Sequence, residues 1–139
     1  MTDLTRFLDA QADSYDTALA ELRAGRKATH WMWYIFPQLA ALGRSATAKF
    51  YGIADMAEAR AYLADPALGP RLVECAEAVI AHGDKPAEEI MGPVDALKLR
   101  SSATLFDRAG GNGVFKGVLN TFYGGAPCPL TLQELDRGP

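Results

Sequence analysis

Residues Trp31 to Phe36 form an unbroken apolar run that contains both tryptophans of the chain. Both faces of an alternating pattern would be apolar here, so the run does not fit a strand with one face in water. It is also much shorter than the roughly twenty apolar residues of a membrane-spanning helix. We therefore expect it to be buried on both sides, as an extended segment or a single helical turn at the centre of the fold. Pro37 disfavours the α conformation at Phe36, so a helix that enters the run should end there.

Length and charge narrow the classes of protein to which the chain can belong. With 139 residues it can bury a core without disulfides, and we expect a single domain over residues 1–139 with a proline-rich C-terminal arm over residues 126–139. The formal net charge of −3 argues against a nucleic-acid partner, which would favour a basic face. The first residues do not resemble a signal peptide and no apolar stretch reaches membrane length, so we expect a cytoplasmic protein without a membrane partner.

Cys75 and Cys128 are the two cysteines of the chain, and their spacing does not match a metal site. We expect both to be reduced structural thiols, as is usual in the cytoplasm. The glycine-rich stretch Gly110–Gly113 lacks the lysine–serine pair and the preceding strand of a phosphate-binding loop. The sequence therefore predicts neither a metal nor a cofactor, and it specifies no particular oligomeric state.

Helical periodicity dominates the chain, and no stretch alternates as a surface strand does. Ser45 and Asp55 are suited to cap the helices that follow them, and Gly25 is suited to end the first helix. We therefore predict an all-α fold of about six or seven short helices packed around the central aromatic segment. The predicted helices cover residues 3–24, 46–51, 55–63, 67–82, 85–91, 94–108 and 114–123, with short turns at 37–43 and 131–135.

The first predicted helix carries a glutamine in the middle of its apolar face. Thr2 or Asp3 is suited to cap this helix, and Gln11 lies within its apolar stripe with Tyr15 on the same face. An unpaired buried amide costs about 1–3 kcal/mol, so Gln11 must either bond a loop carbonyl or line a pocket. The acidic residues of the helix are expected to face water: Asp9, Asp13, Asp16 and Glu21.

Residues 94–108 carry a polar stripe inside an apolar arc. On a helical wheel Asp95, Lys98 and Ser102 stack on one side, with apolar residues on both flanks. Such a stripe is either a buried salt bridge between Asp95 and Lys98 or the floor of a cleft, and we expect Lys98 to be at least half buried. The outer face of the same helix is expected to be an ordinary polar one: Arg100, Thr104 and Asp107.

Several stretches together give the chain a family resemblance over nearly its whole length. They are Arg6–Gln11, Ser14–Tyr15, His30–Trp33 through Phe36–Gln38, Leu42–Ser45, Leu97–Ser102 and Phe122–Gly125. With them the chain resembles the bacterial family known as domain of unknown function 1810. The resemblance implies a compact all-helical domain, and it supplies no established activity, substrate or catalytic residue. Members are sometimes labelled calpastatin, but the chain shows neither repeats nor a disordered inhibitory segment.

Three polar sets are candidates to meet beside the aromatic run: one on the first helix, one at the two ends of the run, and one on the polar stripe. Polar groups that converge in an aromatic surround are typical of a small-molecule pocket. A lysine and serine hydroxyls favour an anion, and a tryptophan can stack a base, so we predict an anionic, nucleotide-derived ligand. The candidate ligand-binding residues are Gln11, Tyr15, His30, Trp31, Trp33, Gln38, Asp95, Lys98, Ser101 and Ser102.

Two other interpretations stay open. His30 and Asp95 could act as a general acid–base pair with Lys98 as an electrostatic stabiliser, which would suit hydrolysis, although no known nucleophile or metal motif accompanies them. Alternatively, the aromatic run is ordinary core and the chain is a helical module that binds another protein through an outer face. A cleft that contains both His30 and Lys98 would distinguish the small-molecule site from the interaction module.

Overall fold

The computed structural model describes residues 3–137. Within them the chain is all-helical, as predicted, with more helices than the six or seven expected, because the aromatic run and the C-terminal arm each form one as well. The helices are α1 (Thr5–Arg23), α2 (Met32–Ile35), α3 (Ala46–Phe50), α4 (Met56–Ala64), α5 (Leu68–Ile80), α6 (Ala87–Met91), α7 (Pro93–Arg108), α8 (Val114–Phe122) and α9 (Pro129–Asp136), and a 3-10 turn covers Ala40–Leu42. No helix in this part of the chain is long and apolar enough to cross a membrane.

Helix α1 begins and ends close to the predicted positions. The residue at the cap position is Leu4 and not Asp3 as predicted, although the Asp3 carboxylate accepts a hydrogen bond from the Thr5 amide at 2.9 Å. The alternative cap, Thr2, lies outside the described residues. Beyond the helix, Gly25 has a φ of 76°, a left-handed conformation that strongly favours glycine. A Cβ atom on Gly25 would also lie 2.7 Å from the imidazole of His82. That ring bonds the Arg23 carbonyl at 2.8 Å, so His82 fixes the end of α1 as well as lying near the end of α5.

The aromatic run forms one helical turn, α2, and Pro37 follows its end as predicted. Four of its six residues are buried: Trp31, Met32, Ile35 and Phe36. The expectation that both sides are buried is wrong for Trp33 and Tyr34, which are partly exposed. In a helical turn successive side chains are rotated by about 100°, so these two leave the core together instead of alternating across it.

Side-chain caps organise the segment after α2. Ser45 accepts a hydrogen bond from the Ala48 amide at 3.0 Å, and Asp55 accepts one from the Glu58 amide at 2.9 Å. Both predicted caps are thereby confirmed. Between them the chain returns on itself, because Ile53 donates to the Gln38 carbonyl at 2.9 Å. With the bond from the Ala40 amide to the Ile53 carbonyl, it closes a loop that contains the 3-10 turn and α3.

Helix α7 packs against α4, α6, α8 and α9. Its residues Ser101 to Phe106 are all buried, which makes the predicted polar outer face wrong at Thr104. The reason is α9, which covers that face: the Thr104 hydroxyl accepts a hydrogen bond from the Cys128 amide at 2.9 Å. The C-terminal arm is therefore packed on α7, and this hydrogen bond is one of the contacts that hold it there.

Candidate functional site

Lys27, Asp95 and Lys98 form an ion triad at the start of α7. The two carboxylate oxygens of Asp95 lie 3.0 Å from the Lys27 ammonium and 3.6 Å from the Lys98 ammonium. The side chains are 9%, 19% and 26% exposed for Lys27, Asp95 and Lys98 respectively. The expectations that Lys98 is at least half buried and that it pairs with Asp95 are thus confirmed. One carboxylate serves two ammonium groups, so one positive charge of the triad is not neutralised within it.

Each lysine of the triad also lies over a tryptophan ring. The Lys27 ammonium is 5.0 Å from the ring centroid of Trp31, and the Lys98 ammonium is 5.6 Å from that of Trp33. Cations over indole faces are attracted by about 0.5–1 kcal/mol at exposed sites and more when desolvated. Lys27 was missed in the sequence because it belongs to a loop, where no periodicity marks a residue as buried.

Lys98 lines an open recess of about 340 Å³ between the 3-10 turn, α3 and α7. Gln38 and Arg44 line it as well, so the recess joins the aromatic segment to the polar stripe. The remaining lining residues are small or apolar except for the capping serine: Leu42, Gly43, Ser45, Ala48, Val94 and Leu97. Among the described residues that line it none is acidic, and two are cationic.

Ser101 and Ser102, the two candidate serines on α7, are both buried. The Ser101 hydroxyl lies 2.7 Å from that of Thr131, and this hydrogen bond fastens α9 to α7. The Ser102 hydroxyl is buried and has no hydrogen-bond partner within residues 3–137. Neither serine is among the residues that line the recess.

Gln11 is buried between α1, α2 and α4 with all of its amide atoms occupied. Its nitrogen donates to the Tyr34 carbonyl at 2.8 Å and to the Tyr62 hydroxyl at 3.0 Å, and its oxygen accepts from Arg71 at 3.4 Å. The expectation that Gln11 is buried and bonded near the aromatic segment is confirmed. Burial raises the pKa of Tyr62 well above its usual range, so its hydroxyl stays protonated.

Tyr15 points toward α5. Its hydroxyl donates to the Glu74 carboxylate, and the Arg71 guanidinium lies 5.1 Å from its ring centroid. Burial, followed by this hydrogen bond, raises the pKa of Tyr15 above its usual range. Tyr15 therefore belongs to the packing of α1 on α5, as does Cys75, whose thiol pKa is raised to about 12 by burial. Such a thiol is protonated and unreactive at neutral pH.

His30 is exposed and lines a different recess, of about 240 Å³, against α1. Asp13, Ser14 and Tyr34 line that recess with it, whereas Lys98, Asp95 and Gln38 do not. Asp95 does not line this recess, and its two ion pairs are with Lys27 and Lys98 and not with His30, so the proposed acid–base pair has no direct contact to support it. The structure brings together Gln38, Trp33, Asp95 and Lys98, and it directs Gln11, Tyr15 and His30 to other contacts.

Glu21 organises the loop that carries Lys27, although its position on α1 predicted that it would face water. One carboxylate oxygen accepts from the Ala28 amide at 2.6 Å, the Thr29 amide at 2.9 Å and the Trp31 indole nitrogen at 2.9 Å. The other accepts from the Thr29 hydroxyl at 2.6 Å. Desolvation raises the pKa of Glu21, but these hydrogen bonds together lower it more, to about 2. The charged Glu21 carboxylate therefore positions Trp31 directly, and it positions Lys27 through the adjoining residues Ala28 and Thr29.

Comparison with known proteins places the chain in a family. The sequence model described as "Protein of unknown function (DUF1810)" matches residues 1–135. The chain belongs to this family. A crystal structure of the conserved hypothetical protein Rv1873 from Mycobacterium tuberculosis is similar, with 50% identity, a TM-score of 0.94 and 96% of each chain covered. A search of curated proteins gives no match. Membership in DUF1810 agrees with the all-helical fold and brings no activity.

Proposed function

We propose that this DUF1810 protein binds an anionic small molecule in the recess lined by Lys98. The observation that carries the proposal is the charge balance: Arg44 and Lys98 line the recess, and the nearest carboxylate, that of Asp95, is shared with Lys27. A bound anion would supply the missing negative charge. Charge-assisted hydrogen bonds of this kind are about twice as strong as neutral ones.

The lining favours a ligand with an apolar or ring-shaped part beside the anionic group. Leu42, Val94 and Leu97 offer apolar contact, and the amide of Gln38 offers a donor and an acceptor. A nucleotide-derived molecule has this combination, and stacking of a base on an aromatic ring contributes about 1–3 kcal/mol. Trp33 does not line the recess itself, but its ring lies beside it, because the Lys98 ammonium is 5.6 Å from the ring centroid. We therefore propose nucleotide-derived anions as the ligand class.

A helical interaction module is the second candidate, and one observation favours it. Val94 and Leu97 lie on one face of α7 and are 65% and 68% exposed. Large apolar side chains that are exposed together are typical of surfaces that bind a partner. On this alternative a helix of another protein would cover both residues, and no free anion would bind.

Thermal-shift measurements against inorganic phosphate, nucleoside mono- and triphosphates and small carboxylates test the proposal, since a ligand of the folded state must raise its stability. We expect at least one nucleotide to raise the melting temperature. Lys98→Met should weaken its binding at least about tenfold, because the charge-assisted bond is lost. Lys27 remains 3.0 Å from Asp95 and keeps that carboxylate paired, so the variant should stay folded.

Lys49→Met is the matched control, since Lys49 is an exposed lysine on the neighbouring helix α3 and does not line the recess. It should bind the nucleotide as the unaltered protein does. The proposal fails if no anion of the panel shifts the melting temperature, or if both lysine variants bind alike. The interaction module would then take first place.

A further inference from the structure

A second cavity, of about 640 Å³, lies between the 3-10 turn, α4 and α9. Its volume is within the roughly 300–1,000 Å³ that is usual for small-molecule sites. Leu39, Met56 and Leu135 contribute apolar side chains, and three alanines line the rest of its apolar surface. None of these residues belongs to the Lys98 recess.

One wall of the cavity is fixed in place before any ligand arrives. Leu135 lies on α9, and α9 is fastened to α7 by the hydrogen bond between Ser101 and Thr131. The floor is fixed as well, because Leu39 is buried and its neighbour Ala40 donates to the Ile53 carbonyl at 2.9 Å. A preformed cavity binds with a smaller loss of conformational entropy than one that must be assembled.

Among the described charged residues that line the cavity, all but Arg60 have a side-chain partner or a capping role. Asp55 is engaged as the cap of α4, and Glu134 pairs with Arg137 at 3.5 Å. The exposed side chain of Arg60 has no acidic partner within residues 3–137. Within residues 3–137, the cavity therefore combines an apolar interior with one guanidinium, that of Arg60, that has no acidic partner.

We propose that this cavity binds an apolar monocarboxylate, with its carboxylate on Arg60 and its hydrocarbon part against Leu39, Met56 and Leu135. The planar guanidinium suits a carboxylate because it can donate two parallel hydrogen bonds. Asp55 and Glu134, which also line the cavity, repel a dianion such as a phosphate monoester about twice as strongly as a monocarboxylate. Medium-chain fatty acids fit this description.

Competition between decanoate and the fluorescent probe anilinonaphthalene sulfonate tests the proposal, with decan-1-ol as the uncharged ligand of equal chain length. We expect decanoate to displace the probe, and decanol to need an at least tenfold higher concentration. Arg60→Gln should weaken decanoate about tenfold and leave decanol unchanged. Ala57→Phe, which places a ring in the cavity from an exposed position, should weaken both ligands.

Arg44→Gln is the matched control, because Arg44 is an exposed arginine that lines the other recess. It should leave decanoate binding unchanged. The inference is overturned if decanoate does not displace the probe, if Arg60→Gln binds decanoate as the unaltered protein does, or if decanol competes equally well. It is also overturned if Arg44→Gln is the variant that loses decanoate. None of these outcomes decides whether nucleotides bind at Lys98.

Discussion

Glu21 holds a loop that has no regular secondary structure of its own. In a helix or sheet, backbone carbonyls supply the acceptors for the backbone amides. Between α1 and α2 the Glu21 carboxylate supplies them instead, for Ala28 and Thr29, and it holds the buried indole of Trp31 as well. The position of the Lys27 ammonium therefore depends on an acidic residue outside the recess.

Glu21→Gln should destabilise the protein by about 1–3 kcal/mol at neutral pH, because the charge-assisted bonds are lost. The folded-state pKa of about 2 lies below the ordinary value of 4.5. The contribution of Glu21 is then complete above about pH 4.5 and is lost as the pH falls toward 2. Urea unfolding at a series of pH values should show a flatter acid dependence in the variant.

Asp16→Asn is the control for this comparison, since Asp16 is an exposed acid on the same helix. Its pH dependence should follow that of the unaltered protein. Parallel stability curves for Glu21→Gln and the unaltered protein between pH 5 and 2 would contradict this role of Glu21.

A helical wheel predicted the burial of Gln11 but not the role of Glu21. The wheel shows on which side of the helix a residue lies, but it does not show which loop of the chain packs against that side.

At the scale of the elements, the junction between α4 and α5 leaves no space for a side chain. A Cβ atom on Gly69 would lie 2.2 Å from the Leu63 carbonyl oxygen, which is backbone and cannot turn aside. Asp65 caps α5 within this junction by accepting from the amides of Ala67 and Leu68 at 2.9 and 3.0 Å. The close approach of the two helices therefore requires glycine.

Gly69→Ala should destabilise the protein by about 1–3 kcal/mol, as overpacking does when backbone must shift. Gly113→Ala is the matched control, because Gly113 has a φ of −60° and nothing lies within 4 Å of its added Cβ. That variant should be neutral, or more stable by up to about 1 kcal/mol through the unfolded state. Thermal and urea denaturation measure both. Equal stabilities for the two variants would contradict the packing argument.

Most elements could be predicted because their signals are local. Ser45 and Asp55 mark helix starts, Gly25 marks an end, and the apolar period marks the lengths between them. The burial of Thr104 on α7 could not be predicted in this way. Its partner, the amide of Cys128, is separated from it by helix α8 and two turns, and no local pattern records that contact.

At the scale of the whole molecule, one continuous apolar core joins residues from α1 to α8. Phe7 on α1 packs edge-on against Tyr62 on α4 at 5.1 Å, and Tyr62 lies 5.3 Å from Phe106 on α7. The ring centroid of Phe106 lies in turn 5.8 Å from that of Phe115 on α8. The aromatic side chains thus connect the N-terminal and C-terminal halves of the fold.

Because the core is shared, we expect the chain to unfold as a single domain. Tryptophan fluorescence reports on the region of α2, while far-UV circular dichroism reports on all helices. The two urea transitions should coincide, as they do for two-state domains of this size. A second transition seen only by circular dichroism would show instead that a part of the chain, such as the C-terminal arm, unfolds separately.

The meeting of polar groups in space was the least predictable feature. Gln38 and Lys98 do share a recess, but His30, only eight residues before Gln38 in the sequence, lies in another. The turn of α2 and the chain reversal after it separate them. Such separations depend on how helices pack, which the periodicity of each helix does not specify.

The shared carboxylate of Asp95 has a consequence for any anion that binds at Lys98. An anion that drew Lys98 toward itself would leave Asp95 to Lys27 alone, and the loop before α2 would be held more tightly than in the free protein. The coupling is reciprocal: a change that favours the ion pair of Lys27 and Asp95 would raise the affinity for the anion by the same factor. Anion binding in the recess and ordering of the loop that carries Lys27 are therefore linked by one coupling free energy.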